Sequence, residues 1–133
     1  MNVFLDVNII MYAAGATHPS KAPCSQLLER IAQGGLAAVC DTEVLQELLY
    51  RYWHVKVLEE GLKLVAMVTR IIPTILPVSK ADVLLATKLL VQHRRVQPRD
   101  AIHAAVMLNH GLTHLYSYDR DFDLIPGLKR LEP

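Results

Sequence analysis

Short apolar runs alternate with longer helical segments along the whole chain, and this alternation most constrains the fold. Runs at 3–5, 36–40 and 115–117 have the length of buried strands, and weaker strand candidates lie at 75–78 and 129–131. Strands separated by helices pair in parallel, with helices on both faces of the sheet. The sequence therefore predicts a three-layer α/β domain whose four- to five-stranded sheet is mainly parallel.

Capping and breaking residues set the predicted limits of the elements. Asp41 or Thr42 is expected to cap a helix after the second strand, and Ser79 to cap a later one. Pro98 suits the first position of a new helix, because its missing N–H costs nothing there. Pro77 restricts the run at 75–78 to an edge or an end of the sheet.

Length and composition favour one compact domain over residues 1–133. The chain has 133 residues, of which 52% are hydrophobic and 20% charged, and a chain of this size buries about two-thirds of its unfolded surface. The net charge of +1 selects no class of partner. Cys24 and Cys40 show no metal-type spacing, and the amino-terminal residues lack a signal-peptide pattern, so we expect a reduced, cytoplasmic protein. No apolar run approaches the roughly 20 residues of a membrane span.

Four acidic residues are expected to converge at the carboxyl edge of the sheet. Asp6 directly follows the first strand, and Asp119 follows the run at 115–117. Asp100 lies in the first turn of its helix, and Glu47 borders the apolar arc of the helix after the second strand. Glu43 is expected to point further out. A carboxylate at the buried end of a strand is costly without a partner, so something must compensate Asp6.

Each of these acids also has an ordinary structural explanation. Glu47 can pair with Arg51 one helical turn away. Asp100 can simply favour the positive end of its helix dipole. The acids at 119–123 can belong to a polar turn. A purely structural explanation has to hold independently for each of the four acids. A single site that uses all four is therefore the stronger hypothesis.

A hard divalent cation is the natural compensation for clustered carboxylates. Carboxylates brought together repel each other and raise their own pKa values. Mg²⁺ and Mn²⁺ prefer oxygen ligands. Such an ion lowers the pKa of a bound water and holds a phosphate oxygen, which is the chemistry of phosphodiester hydrolysis.

Four segments of the chain resemble PIN-domain ribonucleases, and most of all the VapC-type toxins of toxin–antitoxin pairs. The segments are Phe4-Leu5-Asp6-Val7-Asn8, Thr42-Glu43-Val44-Leu45-Gln46-Glu47-Leu48, Pro98-Arg99-Asp100-Ala101-Ile102-His103-Ala104-Ala105 and Ser117-Tyr118-Asp119-Arg120-Asp121-Phe122. They occur in this order and span the whole chain. The stretch from Arg99 to Ala105 is the most distinctive.

The resemblance implies a PIN-like fold and an endoribonuclease that hydrolyses RNA with Mg²⁺ or Mn²⁺ and a metal-activated water. It assigns the catalytic and metal-binding positions to Asp6, Glu47, Asp100 and Asp119, with Asp121 replacing or assisting Asp119. It also implies an RNA substrate, a homodimer and a cognate antitoxin protein. The residues assigned to the substrate are Asn8, Arg94, Arg95, Arg99 and Ser117.

Several alternatives remain open. The chain can be a PIN-domain RNA-processing nuclease that is not a toxin, or a catalytically inactive module that binds RNA or protein. A haloacid-dehalogenase-like phosphatase also begins with a strand-end Asp, but it needs an acid two residues later, where this chain has Asn8.

The arginines can form a solvated basic helix end. For His103 we favour a structural role over donation to a substrate. The aromatic residues Tyr50, Tyr52 and Trp53 either stack on bases or, as we favour, pack against another chain or the core.

Overall fold

A five-stranded parallel sheet forms the centre of the computed structural model, which describes residues 2–133. The strands are β1 (Val3–Leu5), β2 (Ala38–Asp41), β3 (Thr74–Leu76), β4 (His114–Tyr116) and β5 (Lys129–Leu131). The α-helices are α1 (Val7–Ala14), α2 (Lys21–Ala32), α3 (Thr42–His54), α4 (Leu58–Ile71), α5 (Lys80–Gln92) and α6 (Pro98–Asn109), and a 3₁₀ turn spans Arg120–Leu124. All four neighbouring strand pairs are parallel. The predicted α/β class with a mainly parallel sheet is confirmed.

The strand order β3-β2-β1-β4-β5 creates a switch point between β1 and β4. From β1 the chain builds the sheet first towards β2 and β3, and then returns to the other side of β1 to add β4 and β5. In open parallel sheets, ligands bind outside the carboxyl ends of the strands at such a point. Asp6 follows β1 and Ser117 follows β4, so both residues flank the switch point.

The centre of the sheet is formed by buried apolar side chains. Phe4 and Leu5 are fully buried in β1, and Leu115 is fully buried opposite Phe4 in β4. Helices α1 and α2 pack together, as do α3 with α4 and α5 with α6. No helix in the described part of the chain is long and apolar enough to cross a membrane.

Both predicted edge strands are present, although β3 begins one residue earlier and ends two residues earlier than the predicted run at 75–78. β3 pairs with β2 at one edge of the sheet, and Pro77 lies just beyond its last residue. β5 occupies the other edge, with the limits that the sequence predicts. β2 starts two residues later than expected and extends to Asp41, because the parallel register pairs Val3 with Ala38. β4 instead begins and ends one residue earlier than the predicted run at 115–117, which leaves Ser117 outside the strand.

The predicted helix starts are also observed. The Asp41 side chain accepts a hydrogen bond from the Val44 N–H at 3.0 Å and caps α3. Ser79 caps α5 in a reciprocal arrangement with Asp82, and Pro98 opens α6. These caps satisfy N–H groups that helix ends otherwise leave without partners.

Gly61 allows α4 to approach α3 closely. A Cβ atom added at Gly61 would lie 2.9 Å from the Tyr52 Cβ and 3.2 Å from the Leu48 carbonyl oxygen. Intrinsic helix propensity alone would make this glycine a weak position in α4. The contact shows instead that the packing of the two helices requires it.

We predict that Gly61→Ala destabilises the protein. Alanine gains about 1 kcal/mol of helix propensity, but overpacking in a close contact costs about 1–3 kcal/mol, and backbone atoms here cannot move aside easily. Urea denaturation should show a lower free energy of unfolding. Thr69→Ala, at an exposed position of the same helix, is the matched control and should change it by less than about 0.5 kcal/mol. A stabilised Gly61→Ala protein would contradict the close approach.

Candidate active site

A pocket of about 190 Å³ opens at the carboxyl edge of the sheet beside the switch point. The four acids that the sequence singles out all line it, together with two arginines and a polar amide. These residues are Asp6, Glu47, Asp100, Asp119, Arg51, Arg99 and Asn8. Residues from both halves of the chain therefore meet in one site.

Asp6 is held by hydrogen bonds on both of its carboxylate oxygens. Its Oδ1 accepts from the Val7 N–H at 2.7 Å and caps α1. Its Oδ2 accepts from the Ser117 hydroxyl at 2.6 Å and from the Asn8 amide at 3.3 Å. Burial raises the pKa of Asp6, which is only 2% exposed, and the positive charge of His103 and these hydrogen bonds oppose the rise.

Ser117 links the two strand ends that flank the switch point. Its hydroxyl donates to Asp6 and accepts from the Asp119 N–H at 3.0 Å. The side chain is fully buried. The resemblance assigns Ser117 to the substrate, and this assignment stays a prediction; in the structure its hydroxyl links Asp6 to Asp119.

Asn8 joins α1 to the segment after β4. Its amide oxygen accepts from the Tyr118 N–H at 3.3 Å, and its amide nitrogen donates to Asp6 and Ser117. Asn8 also lines the pocket. Its assignment to the substrate stays a prediction.

Asp100 is a buried acid with an incomplete set of hydrogen bonds. It lies in the first turn of α6 and is 8% exposed, and its buried Oδ2 has no hydrogen-bond partner within the described chain. Burial, with the Asp119 and Asp6 carboxylates nearby, raises the pKa of Asp100 to about 9. An unpartnered buried carboxylate oxygen is costly, and a hard divalent ion is the ligand that would relieve it.

Three carboxylates lie close enough to share one ion. Asp100, Asp119 and Asp121 each offer an oxygen within 4.8 Å of the others. Asp119 caps the 3₁₀ turn by accepting from the Asp121 N–H at 2.9 Å. Of the two turn residues, Asp119 lines the pocket that holds Asp6 and Glu47. An all-oxygen set of this kind fits Mg²⁺ or Mn²⁺.

Glu47 contacts a buried histidine that in turn contacts a second buried acid. His103 Nε2 lies 3.2 Å from Glu47 Oε1 and 3.9 Å from Asp6 Oδ1, and His103 Nδ1 lies 2.8 Å from Asp41 Oδ2. His103 and Asp41 are both fully buried. Burial alone would lower the pKa of His103, but its hydrogen bonds to Asp41 and Glu47 raise the pKa well above its ordinary value.

Sequence reasoning missed Asp41 as a residue of the site. A signal was available, because Asp41 ends β2 and caps α3 much as Asp6 follows β1 and caps α1. The contact with His103 spans 62 positions and has no local signature. The ion pair of Glu47 also differs from the one considered in the sequence analysis. Glu47 Oε2 lies 3.7 Å from Arg99 Nη1, whereas the sequence suggested Arg51 as the partner.

Glu43 lies near the site but does not line its pocket. It is only partly exposed, and burial raises its pKa, with His103 and Glu47 among the charges acting on it. Of the two glutamates, Glu47 lines the pocket and Glu43 does not.

The arginines differ in their distance from the acids. Arg99 and Arg51 line the pocket, and Arg51 was not among the predicted substrate residues. Arg94 and Arg95 lie exposed in the turn between α5 and α6. Arg95 is near enough to Asp121 to oppose the rise in its pKa that burial and Asp119 cause. Arg94 does not line the pocket.

We predict that Asp100→Asn stabilises the metal-free protein, and more so at higher pH. A carboxyl whose folded pKa is raised contributes its full stability below the unfolded value of 3.8 and loses it as the pH rises towards about 9. The amide has no charge to lose. With a chelator present, the melting temperature of the variant should therefore exceed that of the wild type by a margin that grows as the pH rises from 3.8 towards about 9. Equal dependence of the two melting temperatures on pH would contradict the raised pKa.

Comparison with known proteins places these features in a family context. The family model described as PIN domain matches residues 3–128. Ribonuclease VapC13 of Mycobacterium tuberculosis is 40% identical over 129 residues, covering 97% of this chain and 98% of that protein. The M. tuberculosis VapC20 structure, described as a Sarcin-Ricin loop cleaving toxin, is 18% identical with a TM-score of 0.80, covering 98% of this chain and 99% of that one. VapBC2 from Rickettsia felis, bound to a DNA fragment from its promoter, is 20% identical with a TM-score of 0.76, covering 99% and 98%.

Proposed function

The chain belongs to the PIN domain family, and from this premise we propose that it is a metal-dependent endoribonuclease acting as the toxin of a toxin–antitoxin pair. The observation that carries the proposal is the convergence of Asp6, Glu47, Asp100 and Asp119 on one pocket at the switch point. The ribonuclease name of a relative that is 40% identical over nearly the whole chain supports the same reaction.

Mg²⁺ or Mn²⁺ is the cofactor that the donor set favours. Asp6, Glu47, Asp100 and Asp119 would hold the ion, and Asp121 lies close enough to Asp100 and Asp119 to assist. When bound, such an ion acts as a Lewis acid towards a phosphate oxygen and lowers the pKa of a coordinated water. The unpartnered Oδ2 of Asp100 supports this cofactor.

The chain's own cations would bind the RNA. Arg51 and Arg99 line the acid pocket from α3 and α6, where a scissile phosphate has to lie. Arg94 and Arg95 extend the positive surface along the turn before α6. Arginine forks suit phosphate oxygens, and such contacts position a nucleic acid without reading its sequence.

Two protein partners follow from the proposed role. A cognate antitoxin partner is supported by the likeness to VapBC structures. A homodimer is supported by large apolar side chains left exposed on α5, namely Val83, Leu84 and Val91. Tyr50 and Trp53 are also exposed, so they do not pack in the core, whereas Tyr52 packs under α4.

The alternatives fit the site less well. A phosphatase would need an acid at position 8, and the Asn8 amide is bonded to Asp6 and Ser117 instead. A catalytically inactive binding module has no need for four carboxylates in one pocket. An RNA-processing nuclease that is not a toxin differs in its partner, and inhibition of cleavage by a cognate antitoxin separates the two.

We predict that Asp6→Asn reduces RNA cleavage by about a hundredfold or more, since one ligand or its support is lost from a metal site. Purified protein would be assayed on single-stranded and structured RNA with Mn²⁺. Chelation should abolish wild-type cleavage, and added Mn²⁺ should restore it. Glu60→Gln, at an exposed surface pair with Lys63, is the matched control and should keep full activity. Unchanged cleavage by Asp6→Asn would reject the nuclease proposal, and full activity in chelator would remove the metal.

We predict that Asp119→Asn impairs cleavage more than Asp121→Asn. Both changes remove one charge from the same turn, but Asp119 lines the pocket and also caps the turn. We expect about a tenfold or greater difference in kcat. The reverse order would make Asp121 the fourth acid.

A further inference from the structure

His103 has a geometry that a core histidine does not need. Its ring lies against Phe4, with ring centroids 5.4 Å apart, and is fully enclosed. Both ring nitrogens nevertheless meet carboxylates, at 2.8 Å to Asp41 and 3.2 Å to Glu47. Either ring nitrogen of an imidazole can donate a hydrogen bond to a carboxylate, so the ring can bridge the two acids. A network of polar side chains thus links Asp41, at the N-terminus of α3, to His103 in α6 and then to Glu47 further along α3.

The carboxylates at the two ends of this network, Asp41 and Glu47, differ in how firmly they are held. Asp41 is fully buried, and its other carboxylate oxygen is fixed by the Val44 N–H at 3.0 Å. Glu47 has a longer side chain, 14% of which is exposed. Its other carboxylate oxygen, Oε2, lies 3.7 Å from Nη1 of the exposed Arg99. Asp41 therefore fixes the ring, and the ring can fix Glu47.

We propose that His103 is a positioning residue for the Glu47 carboxylate, and that Asp41 holds its ring in the orientation this requires. The inference deepens the proposed function and rests on it, because Glu47 would be a metal ligand. Histidines that orient reactive groups are commonly fixed in this way by a carboxylate on the far nitrogen. Without the ring, Glu47 would sample several rotamers at the mouth of the pocket, and each binding event would have to order it.

Two neutral substitutions at position 103 separate positioning from simple core stability. A glutamine amide nitrogen comes close to the place of Nε2, so His103→Gln keeps a donor for Glu47 and abandons Asp41. An asparagine amide nitrogen comes close to the place of Nδ1, so His103→Asn keeps the contact with Asp41 and abandons Glu47. Both variants are uncharged at position 103, so charge does not account for a difference between them in metal binding.

We expect metal binding and stability to rank these variants in opposite orders. His103→Asn should bind Mn²⁺ about tenfold more weakly than His103→Gln in calorimetric titration and show about a tenfold lower kcat, with a similar KM for RNA. His103→Gln should be the less stable variant, because Asp41 is left buried without its partner. Asn109→Ala, which removes a hydrogen bond to Asp82 at the far end of α6, controls for lost stability and should leave Mn²⁺ affinity unchanged.

A purely structural histidine would give the reverse result. If His103→Asn matches or exceeds His103→Gln in both Mn²⁺ affinity and kcat, the proposal is overturned. If the wild type binds Mn²⁺ but cleaves no RNA, the proposed function fails, and the affinity ratio still decides the role of His103.

Asp41 offers a second matched pair should both variants at position 103 fail to fold. Serine and asparagine both cap helices well, but serine is too short to reach His103. Asp41→Ser should therefore bind Mn²⁺ several-fold more weakly than Asp41→Asn. Equal affinities would overturn the proposal.

Discussion

Repulsion among carboxylates at the carboxyl edge of the sheet is the main electrostatic cost that this fold has to offset. Asp6, Glu47, Asp100 and Asp119 share one pocket, and a low-dielectric surrounding strengthens their mutual repulsion. The protein offsets part of this cost with neutral donors on Asp6 and a buried histidine between Asp41 and Glu47. Asp100 keeps an unpartnered oxygen and a pKa raised to about 9 by its burial and its acidic neighbours. The fold thus tolerates an acid whose full compensation has to come from a ligand.

The core supplies the rigidity that this arrangement needs. Each strand has only three or four residues, and the fully buried side chains of the sheet belong to the central strands β1, β2 and β4. Phe4 and Leu5 immediately precede Asp6, and the parallel register of β1 with β4 fixes Ser117 beside it. Small shifts of the sheet would therefore be transmitted directly to the acids, and dense packing opposes such shifts.

Local patterns in the sequence sufficed for the elements and for the approximate place of the four acids. Strand β5, the edge position of β3 and the starts of α5 and α6 follow from residues within a few positions of one another. The contact of Asp41 with His103 and the close approach at Gly61 depend on how separate elements pack, which no short window encodes. Ser117 illustrates the same limit, because its hydrogen bond to Asp6 joins residues that are 111 positions apart. Direct assignment of metal ligands and substrate contacts remains a prediction for the same reason.

The topology also explains why this edge can hold so many acids. In a parallel sheet each strand that leads into a helix brings the helix N-terminus to the carboxyl edge, where the partial positive charge of the helix dipole favours anions. Helix α1 begins one residue after Asp6, and α3 begins directly after Asp41. Asp100 occupies the first turn of α6. The N-termini of α1, α3 and α6 therefore lie beside acidic side chains, and for α1 and α3 no loop separates the strand from the helix. The short strand-to-helix connections are thus as much a part of the electrostatics of the site as the charged side chains themselves.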